Sequence, residues 1–516
     1  MIKLWQVGYL IALLIYLALL LATPINLTNV DLGRHIKNGE IILNTFKVPE
    51  TNFYSYTYPD YPFVNHHWGS GVIFYLLYQT VGFIGISIFF ILISLATFLV
   101  LFDLAKTYAN FYIASFIAVV LIPLISVRAE IRPEVFSYFL SALFFWVLWN
   151  FKENKISFRW LFVLPFLELI WVNLHIYFPL GVGLIGIFLA DQALNYLKDK
   201  KDLKKLKVLG LVILISIVAT FLNPLGSKGA IYPIHIFDNY AYRLFENQTF
   251  FFIERLFSYP PILFFKIALG LLIFSFVYYL LMVLKKRQSI SLSLILLNLG
   301  FAYLGIIAIR NFTHFGFFAL ALICLNISYL KNWTKKLDHP SFNYLSFPLI
   351  LLTALTGLII INPNFFQYKR LGLGLEENNL RALDFFKEQN IKGPIFNNYD
   401  NGGYLIYGLY PKEKIFVDNR PEAYPASFFT DVYIPMQEKE DVWQKLQEQY
   451  KFNTIFFNRL DLTPWGQQFL ISRVKDKSWV PIFIDDNSLI FVKNNEQNKE
   501  LIQKYKLPQE MFKLPN

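Results

Sequence analysis

Apolar residues in this 516-residue chain fall in long runs separated by short polar segments, rather than in the brief alternations of a soluble fold. Eleven runs have about the length needed to cross roughly 30 Å of hydrocarbon: 4–22, 70–102, 109–127, 134–151, 158–174, 178–196, 208–222, 260–284, 290–309, 314–330 and 343–362. They predict an α-helical polytopic membrane bundle of about 11 transmembrane helices within residues 1–362. The run 70–102 exceeds one crossing, so Gly69 to Tyr78 is expected to form an interfacial helix ahead of the span. The first run has an apolar core too long for a signal peptide and no small-x-small cleavage site after it, so it is read as a span.

After about residue 363 the pattern changes to that of a soluble α/β domain, 363–516. Helical periodicity over 378–390, 438–450 and 464–474 alternates with the short apolar runs GPIFN, KIFVD, NTIFF, WVPIFI and LIFVK. Gly402 and Gly403 in NYDNGGY read as a backbone turn and a weak phosphate signal. In FVDNRPEAYP, Asp418, Arg420 and Glu422 follow an apolar run, where α/β folds often put binding residues; an ion-paired loop docking on the membrane domain is the alternative.

Composition reinforces the membrane assignment: 55% of residues are hydrophobic, 16% are charged, and the mean hydropathy is +0.43. The net charge of +11 is not a nucleic-acid signature, because much of the excess sits in short Lys clusters between apolar runs. Those clusters (Lys106; Lys152, Lys155 and Arg159; Lys198 to Lys207; Lys285 to Arg287; Lys331 to Lys336) mark one side as cytoplasmic. The N-terminus then lies inside, and the first loop 23–69, the loop 223–259 and the C-terminal domain lie outside. The single cysteine, Cys324, excludes an intrachain disulfide and sits in an apolar run as a small buried hydrophobe.

Candidate chemistry gathers on the outer side. His35, His66, His67, His175, His235 and His314 all map there, and only His339 maps inside. The HH pair at 66–67 lacks the i,i+4 spacing of a helical metal site, so none of these residues is assigned to a metal, although a divalent ion stays an open alternative. Asp31 and His35 stand four apart at the start of an amphipathic stretch, where a carboxylate is either a helix N-cap or a general base. Arg128 and Arg132 in RAEIRPE break the charge bias; they either pair with Glu130 and Glu134 or hold a phosphate. Glu168, Trp171 and His175 share one helix face, as do Arg310 and His314, either as helix–helix contacts or as groups lining a site.

The stretch from Asp31 through GRHIKNGEIILNTFKVPETNFYSYT to PFVNHHW resembles the first outer loop of the GT-C superfamily of integral membrane glycosyltransferases, nearest to its bacterial multi-span members. RPEVFSYFL, WVNLHIYFPLG, LNPLG, RNFTHF and NNYDNGGYLIYGLYP with FVDNRPEAYP extend that resemblance, in order, over most of the chain. The resemblance implies a bacterial cytoplasmic-membrane enzyme that moves a sugar from a polyprenyl-phosphate donor to an extracytoplasmic glycan, lipid or protein acceptor. It implies Asp31 as general base and Arg128, Arg132 and Arg310 as donor-phosphate ligands. The chain departs from its look-alikes at His67, where they often carry Glu, and in lacking a second carboxylate beside Asp31, a place for which Glu40 is the candidate. A transporter or flippase of lipid-linked or small substrates, and a non-catalytic GT-C-like scaffold, are the competing classes.

Overall fold

The computed structural model describes residues 4–328 and 371–512, apart from 237, 239, 240, 243 and 288. Thirteen helices occupy its first part: α1 Leu4–Leu21, α2 Leu32–Thr45, α3 Trp68–Tyr108, α4 Phe111–Ile125, α5 Glu134–Lys152, α6 Val163–Leu174 and α7 Pro179–Asp199, then α8 Leu203–Thr220, α9 Ser227–His235, α10 Phe250–Leu256, α11 Pro261–Lys286, α12 Leu292–Ile307 and α13 Phe312–Asn326. Each of the first ten apolar runs coincides with one of these helices; the run 343–362, His339 and the Lys331 to Lys336 cluster lie outside the described residues. Among the described residues, five helices are long and apolar enough to cross a membrane: α3, α5, α7, α11 and the segment Ile309–Asn326. Shorter apolar helices occur at Gln6–Leu21, Phe111–Ile125 and Leu292–Ile307.

Within α3 the backbone breaks at Gly82, with φ 65° and ψ −168°, a conformation open essentially to glycine alone. The overlong run is therefore two helices in series, split four residues past the expected end of the interfacial piece.

The chain divides into two compact units. One comprises Met1–Pro24, Ser87–Gly226 and Leu244–Leu373. Its axis is α13, buried along its whole length, against which α4, α5, α11 and α12 pack. Cys324 lies inside this helix. Outward faces of α8, α11 and α12 carry exposed Leu214, Phe274, Leu281 and Leu299, an apolar surface that water would not tolerate and that lipid covers.

The other unit joins Ile25–Ile86, Ser227–Arg243 and Gly374–Asn516, so the first loop packs with the C-terminal region. Its sheet has the order β1 Ile395–Asn397, β2 Thr454–Asn458, β4 Ser488–Lys493, β3 Trp479–Ile484, with β1 and β2 parallel and the other pairings antiparallel. Helices Arg381–Glu388, Glu440–Tyr450 and Gly466–Lys475 match the three helical periodicities. KIFVD is the apolar run that forms no strand. Its Ile415 bridges to the first loop, donating its amide to the Tyr54 carbonyl and accepting from the Tyr56 amide, while the Asn397 side chain takes the Phe416 amide and the Val417 carbonyl. Backbone groups satisfied in this way need no ladder.

Candidate active site

In the second unit, α2 buries Leu32, Ile36 and Ile42 on one face and ends at Phe46, whose left-handed conformation lets its amide bond the Ile42 carbonyl. Asp31 occupies the N-cap position, yet its side chain makes no capping bond. Its Oδ2 instead accepts from Arg34 Nη2 at 3.1 Å and lies 3.2 Å from His35 Nε2. These two contacts fix the orientation of the carboxylate at the head of α2. Arg34 is itself held: it is buried, and its Nε donates to Asn419 Oδ1 at 3.2 Å.

The helix Gly402–Leu409 makes this approach close. A methyl group on Gly33 would stand 2.9 Å from the Gly403 carbonyl oxygen, and one on Gly403 would stand 3.5 Å from the Asp31 Cα. Gly402 and Gly403 are thus the opening residues of a helix, and a side chain on Gly402 would run into Asp418. The backbone turn expected at these glycines is thus the first turn of a helix.

The imidazoles collect beside Asp31. His35 and His67 meet edge to face at 5.3 Å, His66 and His67 are 3.9 Å apart, and His66 lies 5.4 Å from Tyr232. Glu40 does not join them: it is nine residues along α2, a rise of roughly 14 Å, and pairs with Lys37 at 2.6 Å. Asp418 and Arg420 form an ion pair, and it packs on the first loop within this unit. Arg420 donates through Nε to Asp418 at 2.7 Å and through Nη2 to Asn52 at 2.7 Å, and its guanidinium covers Phe63 at 4.5 Å, so the loop is a buried ion pair clamped on the first loop. Burial raises the Glu422 carboxyl above its usual range.

In the first unit, Arg128, Arg132 and Arg310 come together, and carboxylates come with them. Arg128 bonds Glu246 at 2.7 Å and Glu134 at 3.0 Å; Arg310 bonds the same Glu134 oxygen at 2.7 Å and Asn247 at 3.0 Å. Arg132 stands 3.6 Å from Glu246 and 3.9 Å from the half-exposed Glu130. Burial opposes ionisation of Glu246, but Arg128, Arg132 and Arg310 outweigh it and hold the carboxyl well below its ordinary value.

One face of α5 carries the rest of this arrangement. Glu134, Ser137 and Ser141 follow at i, i+3 and i+7. Ser137 lies 2.6 Å from His175 Nδ1 and accepts from Trp171 Nε1 at 2.7 Å, and Ser141 lies 2.8 Å from His314 Nε2. Tyr177 donates to Asn311 at 3.0 Å, stacks on His314, and lies under Arg310 at 5.9 Å. Glu168 stands apart: it is fully buried, neither oxygen has a hydrogen-bond partner among the described residues, and it faces Gly181.

Sequence reasoning missed Arg34 and Asn419 in one unit and Glu246, Asn247, Ser137 and Ser141 in the other. Glu246 had a signal, as a carboxylate in the outer loop 223–259; two serines in an apolar helix had none. Among the described residues, no group of three or more His, Cys, Asp or Glu side chains has the geometry to hold a metal ion.

No family profile matches the chain, and no curated protein matches it in sequence. Solved structures do match in fold. The archaeal oligosaccharyltransferase AglB from Archaeoglobus fulgidus, in complex with an inhibitory peptide and a dolichol-phosphate, superposes with TM-score 0.59 at 11% identity over 96% of this chain and 74% of its own. ArnT from Cupriavidus metallidurans gives 0.55 at 11% identity over 94% and 97%, and the arabinofuranosyltransferase AftD from Mycobacteria 0.53 at 11% over 96% and 42%. The chain has the fold of the GT-C superfamily of membrane glycosyltransferases. It is a multi-pass membrane protein.

Proposed function

We propose that this protein is a membrane glycosyltransferase that takes a sugar from a polyprenyl-phosphate carrier and gives it to an acceptor glycan, lipid or protein outside a bacterial cytoplasmic membrane, with eleven spans and the C-terminal region external. The observation that carries the reading is the Asp31 carboxylate, oriented by Arg34 and His35 at the head of α2 in a GT-C fold. Two GT-C neighbours support the carrier class: AglB was solved with dolichol-phosphate and ArnT with undecaprenyl phosphate.

In an inverting displacement, the acceptor atom bonds the anomeric carbon as the bond to the carrier phosphate breaks. The acceptor proton passes to Asp31, and the bonding pair leaves with the polyprenyl phosphate. One base suffices, so Glu40 is not needed. His35, His66 and His67 are assigned to acceptor or sugar contacts, and Arg128, Arg132 and Arg310 to the carrier phosphate. Three guanidiniums face the buried Glu134 and the part-buried Glu246, which leaves one positive charge in excess when the solvated Glu130 is set aside. His175 and His314 shape the wall beneath the arginines, and Glu168 has no step in this scheme. No step runs through a metal.

A second reading, a GT-C scaffold without catalysis, draws on that same pairing, because arginines already matched by carboxylates need no ligand. Purified protein incubated with a panel of polyprenyl-phosphate sugars separates the two. Transfer by the wild type, reduced about 100-fold or more in Asp31→Asn, supports the enzyme; equal turnover by the two proteins removes Asp31 from the mechanism, and no transfer from any donor favours the scaffold.

A further inference from the structure

A cleft of about 860 Å³ opens in the second unit between the helix Arg381–Glu388, the edge strand β3 and the segment 504–507. The proposed chemistry makes no use of it. Its volume lies within the roughly 300–1,000 Å³ of small-molecule sites. From its lining, we infer that it binds an uncharged oligosaccharide, a function that goes beyond the transferase reading and does not depend on it.

Ala382, Leu383 and Phe386 face the domain core, which turns Arg381, Asp384, Phe385 and Glu388 toward the cleft. Phe385 meets Phe483 at 4.8 Å with planes 30° apart, and Tyr505 edge-on at 5.1 Å. Tyr505 is fixed in turn by its hydroxyl, which donates to Gln389 at 2.9 Å. Phe483 is buried with Arg381 over it at 5.8 Å, and Lys504 lies over Tyr505 at 4.9 Å, so the part-exposed Phe385 and the free side of Tyr505 supply the apolar surface suited to the C–H face of a pyranose. Around it stand carboxylates that accept and cations that donate, and a sugar hydroxyl does both.

Charge and backbone exclude the rival ligands. Glu376, Asp384 and Glu388 balance Arg381, Lys504 and Lys506, so the lining has no net charge to select a phosphate or a basic peptide. An extended peptide would add to the free edge of β3, but Pro481 offers no amide there and its carbonyl already accepts from the Leu507 amide at 2.9 Å.

The test uses full-length protein in nanodiscs, with cello-, malto-, chito- and mannotetraose as probes and saturation-transfer NMR and titration as readouts, without any lipid-linked donor. At least one tetrasaccharide is expected to bind, tenfold or more weakly in Phe385→Ala and in the exposed double variant Asp384→Asn/Glu388→Gln, and equally well in Asp31→Asn. Should none of the four bind, or should binding survive both cleft variants, the inference is overturned; displacement by inorganic phosphate or by an unstructured peptide overturns it as well. Loss of transferase activity with glycan binding intact removes only the catalytic reading.

Discussion

Glu246 is the residue whose neighbours most sharply define its behaviour. It is ionised only because three guanidiniums surround it, so its folded-state pKa lies below the ordinary value near 4.5. The sign follows: between the two values the unfolded chain binds more protons, so the stability this group contributes is fully present above about pH 4.5 and is lost as the pH falls toward the folded value. Glu246→Gln is expected to lower the melting temperature in detergent at pH 7, because Arg128 loses its 2.7 Å partner, by less than the roughly 3–5 kcal/mol of a fully buried pair because this one is part-buried and Arg128 keeps Glu134. The variant also loses part of the wild-type dependence on acid between pH 5 and 3. Thermal unfolding followed by fluorescence across that range checks both effects, and unchanged melting at pH 7 would mean that Glu246 adds nothing to the cluster. At the other carboxylate, Asn419→Ala removes the acceptor that orients Arg34. Turnover in the transfer assay is expected to fall about tenfold, or 1.4 kcal/mol of barrier, with melting little changed; wild-type turnover would show that Arg34 orients Asp31 unaided.

At the scale of elements, three glycines separate three physical effects. A methyl on Gly39 would enter the Gly71 carbonyl, so Gly39→Ala forces α2 and α3 apart and is expected to destabilise by about 1–3 kcal/mol. Gly82 has open space around it but φ of 65°, so Gly82→Ala meets a backbone penalty alone, also of order 1–3 kcal/mol. Gly183 has open space and lies inside α7, where alanine improves helix propensity by up to about 1 kcal/mol. Melting temperatures of the three variants should rank Gly183→Ala at or above wild type and the other two below it; equal values would remove the close-approach argument. These glycines also show what the sequence could and could not reveal. The apolar runs were legible because a span must bury its own backbone, and the Gly69 to Tyr78 helix was legible from excess length. The clustering of Asp31, His35, His66 and His67 followed from their placement within one loop. By contrast, Gly33 against Gly403 and Arg34 against Asn419 join residues nearly 400 positions apart, and no local pattern encodes such a contact. KIFVD fails as a strand for a related reason: its hydrogen bonds are met by Tyr54, Tyr56 and the Asn397 side chain.

For the whole molecule, the orientation is the step that decides whether Asp31 can meet an external acceptor. Six lysines between Lys198 and Lys207 surround the turn from α7 to α8, and moving such a cluster across the bilayer is strongly disfavoured, so this turn is expected inside. From there to Lys477 the sequence provides five apolar runs, 208–222, 260–284, 290–309, 314–330 and 343–362, and five crossings would put Lys477 on the opposite side. Without 343–362 as a crossing, both positions share a side, so one labelling experiment tests that run together with the orientation. Cys324, the native cysteine, is buried and adds little background, and Lys201 and Lys477 are both exposed. In intact cells, a membrane-impermeant maleimide should label Lys477→Cys, while Lys201→Cys should react only after the membrane is opened. Labelling of Lys201→Cys alone would invert the molecule and place Asp31 on the cytoplasmic side, where the proposed external acceptor is absent. Labelling of both, or of neither, before opening would make the crossing number even and remove 343–362 from the set of spans.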